Sequence, residues 1–426
     1  MSVNVAHDKA TSVRWGILAL LTSFSFIGYV LRMNISVAAK FMIVEFGLNN
    51  VQMGQVFSSF MIGYALFQIL SGALSDRLGP RFIFTVASLC WGITTILTGV
   101  IPGVAVETAT GTFIALVVIR FLLGAAESPT YPVAARSIAN WIPTNKRAYA
   151  FAFLVAGLFA GSAVTPPMIS WLMVHLGWRM AFYITSALAF IVAIIWRWYA
   201  TDTPAQHSGV NEAELQLINF GRSSSSTAPV LSDFLNVFRK GDVWLLTVSF
   251  FFQGYIHYLF VFWFYIYLVD VKGFSILKGG VFASLPFIVS AISSIVGGYL
   301  CDLFAERLGK NLGRKLMVIG SYIISAALLF TGAKVDGPYL ALIILSLSLG
   351  FLKLPGGAFW ASIIDAGEKN AGAASGLMST SSNIGGAVST VLVPFIATSF
   401  GWAVAISSSS LLIIVGGLLW LLLRLD

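Results

Sequence analysis

The chain has 426 residues, 58% of them hydrophobic and 10% charged, with a net charge of +8 and a mean hydropathy of +0.89. Water-soluble domains carry about 25% charged residues, so a soluble enzyme or binding module is excluded and a polytopic membrane protein is expected. The basic excess does not point to nucleic acid, because the lysines and arginines cluster between apolar runs, where the positive-inside bias of membrane loops accounts for them.

In chain order, the first fourteen residues are polar and lead into a long apolar run without a small-residue cleavage site, so no cleaved leader is expected. Runs long enough to span a bilayer, about 20 residues each, fall near 15–38, 51–74, 82–101, 111–138, 147–172 and 178–200. A polar stretch follows, with Pro204, the Ser223–Ser226 run and mixed charges. Six more runs fall near 242–269, 279–301, 315–333, 338–363, 371–399 and 402–424. The expected fold is all-α: twelve transmembrane helices in two six-helix halves, 1–200 and 242–426, joined by a linker over 201–241. Lys9, Arg14, Arg77, Arg81, Lys146, Arg147, Arg239, Lys240, Arg307, Lys310, Arg314 and Lys315 all fall on one side of these spans. Both termini and the linker are therefore expected in the cytoplasm.

The halves are repeats. At a shift of 226, Gly72-Ala-Leu-Ser-Asp76 falls on Gly298-Tyr-Leu-Cys-Asp302, Gly124 on Gly350, Pro129 on Pro355, and Glu127 on Lys353. A parallel repeat of six-span units is one way transporters are built, with the substrate held near the midplane between the units.

Ionisable residues inside the spans are few, and charge at membrane depth is by default a functional signal. Arg120 and Glu127 lie seven residues apart on one helical face, about 10 Å along the axis. Arg32 has no acid within four residues. It reads either as a guanidinium awaiting a carboxylate, which it can grip in bidentate fashion, or as a side chain reaching for the interface. Glu127 is either a proton carrier or the static partner of Arg120. Lys353, mid-span, has three readings: a site for a second acidic group, a cross-half partner of Glu127, or a structural lysine. Arg32, Arg120 and Lys353 outnumber Glu127, so an anion is the natural ligand of a cavity between the halves. In the seventh span Gln253, His257, Tyr258, Trp263 and Tyr265 form a polar and aromatic face that suits ligand recognition or ordinary helix packing. His257 could join a proton path. Asp365 ends the tenth span as a gate or structural charge. The cysteines, Cys90 and Cys301, have no metal-ligand or disulfide spacing, and no nucleotide loop or nucleophile–base pair is present, so neither enzyme chemistry nor a cofactor is expected.

Gly72-Ala-Leu-Ser-Asp76-Arg77-Leu-Gly79-Pro80-Arg81 resembles the signature loop of the major facilitator superfamily. Asp76, Arg77 and Arg81, with Asp302 in the second copy, can pair at the cytoplasmic helix ends as a gate latch. Three further stretches resemble one family within it, the anion:cation symporters: Tyr29-Val-Leu-Arg32-Met-Asn34-Ile-Ser36, Arg120 to Pro132, and Gly376-Leu-Met-Ser-Thr-Ser-Ser-Asn383-Ile-Gly-Gly. The resemblance implies secondary active transport of an organic anion, usually with protons as the coupling ion. It implies that Arg32 meets a substrate carboxylate, that Tyr29, Tyr64 and Asn383 line the pocket, and that Arg120 and Glu127 act as a pair, with Glu127 coupling protons. One departure is Leu31, where sugar-acid permeases of that family carry an aspartate. Proton-independent uniport or exchange is the alternative within transport, and a non-transporting sensor the alternative outside it. A functional monomer in the inner membrane, with the lipid bilayer and a small organic anion as its partners, is the expected setting.

Overall fold

The computed structural model describes residues 9–219 and 239–424, apart from the side chains of Ile69, Ala73, Asp76 and Lys369. Each apolar run is a helix. The first six are α1 (Val13–Phe46), α2 (Asn50–Leu78), α3 (Pro80–Val100), α4 (Ala109–Trp141), α5 (Thr144–Leu176) and α6 (Trp178–Tyr199). After the linker come α7 (Gly241–Phe262), α8 (Ile276–Leu308), α9 (Lys310–Lys334), α10 (Pro338–Gly367), α11 (Ala371–Phe400) and α12 (Trp402–Leu418). Eleven of these are long and apolar enough to cross a membrane. The exception, α2, carries Gln52, Gln55, Ser58, Ser59 and Gln68 along its length. One of these, Gln68, accepts a hydrogen bond from Asn383 of the other half. Lipid offers no partner for a free backbone N–H or C=O, so continuous helices are the form these runs must take. Lys9 and Arg424 share one face of the bundle, the terminal face, and the other is the far face.

Several boundaries differ from the sequence expectation, each for a local reason. α1 runs on to Phe46, past the expected end near 38, because Lys40 is neutralised by an ion pair with Asp270. It stops where Gly47 takes the left-handed conformation at φ 64°. α4 and α10 each break once. The first segment of α4 ends at Glu127 and the second begins at Thr130, while α10 breaks between Lys353 and Gly356. Both breaks lie at the repeated proline, Pro129 and Pro355, which cannot donate a helical hydrogen bond. A short helix, Glu212–Asn219, was not anticipated in the linker. Its buried Glu214 accepts hydrogen bonds from the backbone N–H groups of Val13 and Arg14 and pairs with the Arg14 guanidinium at 2.7 Å. α1 has no side-chain N-cap of its own, so a carboxylate from the linker satisfies its orphan donors and its positive end. The Ser223–Ser226 run lies outside the described residues.

The repeat is visible in the backbone. Gly79 and Gly309, both at φ 81°, turn the chain between α2 and α3 and between α8 and α9. Glycine is the residue that takes this conformation without steric cost.

The two halves meet most closely toward the far face. A Cβ on Gly54 of α2 would lie 2.2 Å from the Thr390 carbonyl oxygen of α11, and one on Gly280 of α8 would lie 2.1 Å from Ser170 Oγ of α5. These seams are pseudo-symmetric copies. Phe57 stacks on Phe262 at 4.8 Å between ring centres, and Lys40 pairs with Asp270 across the halves. At the terminal face the described ion pairs stay within one half or bind the linker: Arg314 with Asp365, Lys240 with Glu368, and Arg14 with Glu214. The structure is thus shut on the far side.

Candidate functional site

At the level where α4 and α10 break, polar side chains from both halves meet. Arg32 is 3% exposed, about one turn after Gly28 on α1. Its guanidinium carbon lies 4.6 Å from the ring centre of Tyr29, 4.7 Å from that of Tyr64 and 5.0 Å from that of Phe60. Three aromatic faces thus replace much of the hydration that burial removes. The guanidinium points two ways. Nη2 donates to Glu127 Oε2 at 3.2 Å, and Nη1 donates to the Tyr258 hydroxyl of α7 at 3.2 Å. That hydroxyl donates to Asn383 Oδ1 of α11 at 3.0 Å, and Asn383 Nδ2 donates to Gln68 Oε1 of α2 at 3.2 Å. The chain Glu127–Arg32–Tyr258–Asn383–Gln68 therefore crosses between the halves twice.

Glu127 is fully buried and is the last residue before the break in α4. A carboxylate at a helix C-terminus opposes the helix dipole, so its position depends on the facing arginine. The contact is single, not forked, and among the described residues Glu127 Oε1 and Arg32 Nε have no hydrogen-bond partner. One end of this pair is open to exchange.

Arg120 does not make the ion pair that its spacing from Glu127 suggested. It is fully buried and donates to two α1 carbonyls, from Nη1 to Leu31 O at 3.4 Å and from Nη2 to Arg32 O at 3.1 Å. Two turns of one helix set the Arg120 and Glu127 side chains about 10 Å apart, and α1 supplies acceptors that are closer. Arg120 fastens α4 to the backbone that carries Arg32.

In the other half, Lys353 is the last residue of the first α10 segment and is half-buried. Its ammonium donates to Gln253 Oε1 at 3.4 Å, and among the described residues it has no acidic partner. The pairing with Glu127 across the halves is not formed; Arg32 holds Glu127 instead. Gln253 also donates from Nε2 to the Tyr322 hydroxyl at 3.1 Å and to Leu352 O at 3.3 Å. His257 is 6% exposed, within coulombic reach of both Arg32 and Lys353, and its Nδ1 has no hydrogen-bond partner among the described residues.

Trp263 and Tyr265, from the same stretch of sequence, are elsewhere: Trp263 donates to Thr390 O and Tyr265 to Ile276 O, both toward the far face. Among the described residues the expected latch is not closed. Arg81 donates to Arg197 O at the end of α6, Arg77 and Asp302 are exposed, and among the described residues no ion pair ties these three to the opposite half. The Asp76 side chain lies outside the described residues. Asp365 pairs with Arg314 at 2.7 Å inside its own half. Sequence reasoning missed Gln68 and Tyr131, whose hydroxyl lies 3.3 Å from Ser25 Oγ. Gln68 lies four residues beyond Tyr64 and shares its helical face, while Tyr131 lies just past the break that follows Glu127.

Comparison with known proteins identifies the family and the fold. Residues 19–351 match the family model described as the Major Facilitator Superfamily. A probable sulfoacetate transporter, SauU, of Cupriavidus necator is 33% identical over 386 residues, covering 89% of this chain and 86% of that protein. A D-galactonate transporter of Escherichia coli is 27% identical and covers 99% of this chain and 98% of that protein. Among solved structures, a bacterial homologue of the human lysosomal transporter Spinster, inward-facing and unoccupied, superimposes with a TM-score of 0.79 at 18% identity over 97% of each chain. A D-xylose–proton symporter gives 0.75 at 14% identity, over 96% of this chain and 97% of that one. These two structures speak to the fold alone. The chain is a multi-pass membrane transporter, not an enzyme, and belongs to the Major Facilitator Superfamily, with its similarity running to organic-acid transporters within it.

Proposed function

We propose that the protein carries a small organic anion across the bacterial inner membrane by alternating access, coupled to protons through Glu127. The observation that carries this reading is the position of Arg32. It is a buried cation at the junction of the two halves, held by one acid of its own half and one hydroxyl of the other. An incoming carboxylate takes the fork that Glu127 holds by a single bond. Glu127, displaced from its cation in an apolar site, then binds a proton, because an unpaired buried charge is costly. With both termini in the cytoplasm, as the lysine and arginine bias favours, the far face is the outer one and the structure is an inward-facing state. The reading includes a functional monomer, with each half serving as the moving part for the other.

Uptake of labelled organic acids into proteoliposomes, with and without an imposed pH gradient, tests it. Accumulation that follows the gradient and disappears in Arg32→Gln is the expected result. Transport that needs no acid group on the substrate would refute it. Leu31 favours one second reading, anion exchange without protons, since Glu127 is left as the single acid beside Arg32. Counterflow that persists undiminished without a gradient, together with no gradient-driven accumulation, would establish that reading instead.

A further inference from the structure

We infer that Lys353, Gln253 and His257 form a second anion subsite, in the C-terminal half, which takes the second acidic head of a compact dianion whose first head binds Arg32. The inference rests on the transport reading above and deepens it by naming the charge of the substrate and the residues that select it.

Three observations meet at this place. The first is the unmet capacity of Lys353. An ammonium has three donors, and this one uses a single long contact, 3.4 Å to Gln253 Oε1, with no acid near it among the described residues. Lysines of this kind are usually neutralised by an internal carboxylate; here the pseudo-symmetric position of a carboxylate is itself the lysine. The second is the fixed orientation of Gln253. Its Nε2 is held by the Tyr322 hydroxyl and Leu352 O, which turns Oε1 toward the ammonium and leaves the amine half-buried. The third is His257, one turn further along α7 on the same face, buried with Nδ1 unpartnered. It lies within coulombic reach of both cations. A ring nitrogen that carries a hydrogen can donate to an acidic oxygen, and nothing described in the protein fills that role.

The geometry also limits the ligand. Gln253 anchors Lys353, and Tyr258 anchors Arg32, so one helix, α7, positions both cations. A ligand that engages both anchors carries an acidic head at each end. A second carboxylate and a sulfonate share the required chemistry, an anionic group with several acceptor oxygens. A monoanion of the same length would fill one end only and leave the lysine unpaired.

The test compares succinate and sulfoacetate with succinamate and sulfoacetamide, in which one carboxylate of each is replaced by a neutral amide. Binding is measured by calorimetry on the detergent-solubilised full chain, and transport in proteoliposomes. The wild type is expected to bind at least one dianion about tenfold or more tightly than its monoanionic amide, the order of one charge-assisted hydrogen bond. Preference for sulfoacetate over succinate, or the reverse, identifies which second head fits. Lys353→Gln is expected to remove the preference and leave monoanion affinity within about twofold, while Lys353→Arg retains it. His257→Ala is expected to weaken dianion binding alone. If the wild type carries organic acids without distinguishing dianion from amide, the subsite is refuted and the transport reading stands. A Lys353→Gln protein that keeps the preference, or that loses affinity for amide and dianion alike, also refutes the subsite. If no organic acid binds or moves, both fall together. Thermal unfolding of each variant separates loss of the fold from loss of the site.

Discussion

On the proposed mechanism, in which Glu127 and the anion compete for one guanidinium, replacing Glu127 by glutamine is expected to separate proton coupling from anion binding. In the structure the carboxylate holds Arg32 through a single 3.2 Å contact. A hydrogen bond between charged groups contributes about 1.5–3 kcal/mol, against about 0.5–1.5 kcal/mol for a neutral one. Glutamine keeps the shape and one acceptor but competes less by about 1–2 kcal/mol. At about 1.4 kcal/mol per factor of ten, anion affinity of Glu127→Gln rises about five- to thirtyfold over the wild type at alkaline pH, where the wild-type carboxylate is ionised. At acid pH the wild-type carboxyl is protonated and the two proteins converge. The wild type therefore loses affinity as pH rises, and the variant does not. Calorimetry across pH measures the first half of this prediction. Proteoliposomes measure the second: counterflow is retained, and accumulation driven by a pH gradient is lost. A Glu127→Gln protein that still concentrates substrate under a pH gradient as the wild type does would refute the assignment of Glu127 as proton carrier.

Other consequences follow from the packing. Arg120→Met leaves the Leu31 and Arg32 carbonyls without their second donor, and stability is expected to fall by about 2 kcal/mol, seen as a lower thermal midpoint, with anion affinity changed by less than the arginine's removal from a binding site would cause. An unchanged midpoint with collapsed affinity would make Arg120 a ligand contact. Gly54→Val puts a branched side chain where even a Cβ meets Thr390 O at 2.2 Å. Because a backbone oxygen cannot swing aside, the far-side seam is expected to open, and a cysteine at position 57 becomes open to a membrane-impermeant thiol reagent. Unchanged labelling would contradict the seam's role. Linking cysteines at positions 40 and 270 with a short bifunctional thiol reagent is expected to halt turnover and reduction to restore it, because the native pair joins the halves on that side; continued transport in the linked protein would show that the far side does not need to part.

The fold was legible because lipid leaves an apolar run one way to satisfy its backbone, and every run here is bounded by charge, proline or glycine. The members of the site were legible for a related reason: charge is so sparse inside the spans that Arg32, Arg120, Glu127 and Lys353 stand out singly. Their partners were harder to read. Spacing along α4 puts Arg120 and Glu127 on one face, but the crossing of α1 over α4 decides that Glu127 meets Arg32 and Arg120 meets a backbone. Such crossings depend on the close approach of small residues far apart in sequence, as at Gly161 against Phe26 O. The full length of α1 was not legible because Lys40 is matched by Asp270, 230 residues away in the chain. At the repeated prolines, Pro129 and Pro355, the structure interrupts the helices, each time placing an ionisable residue at a helix end.

The paired seams at Gly54 and Gly280 bear on leakage. Each half lends the other one glycine and receives one in return, so the two contacts are related by the pseudo-two-fold axis of the repeat. Neither can part unless a half turns as a body, and that turn parts the other. On the proposed alternating-access reading, the far side is expected to open as one event, with no intermediate in which a single seam gapes. Slip of ions through a partly opened carrier is suppressed by close backbone packing, a barrier that salt does not screen as it would a lock made of surface charges.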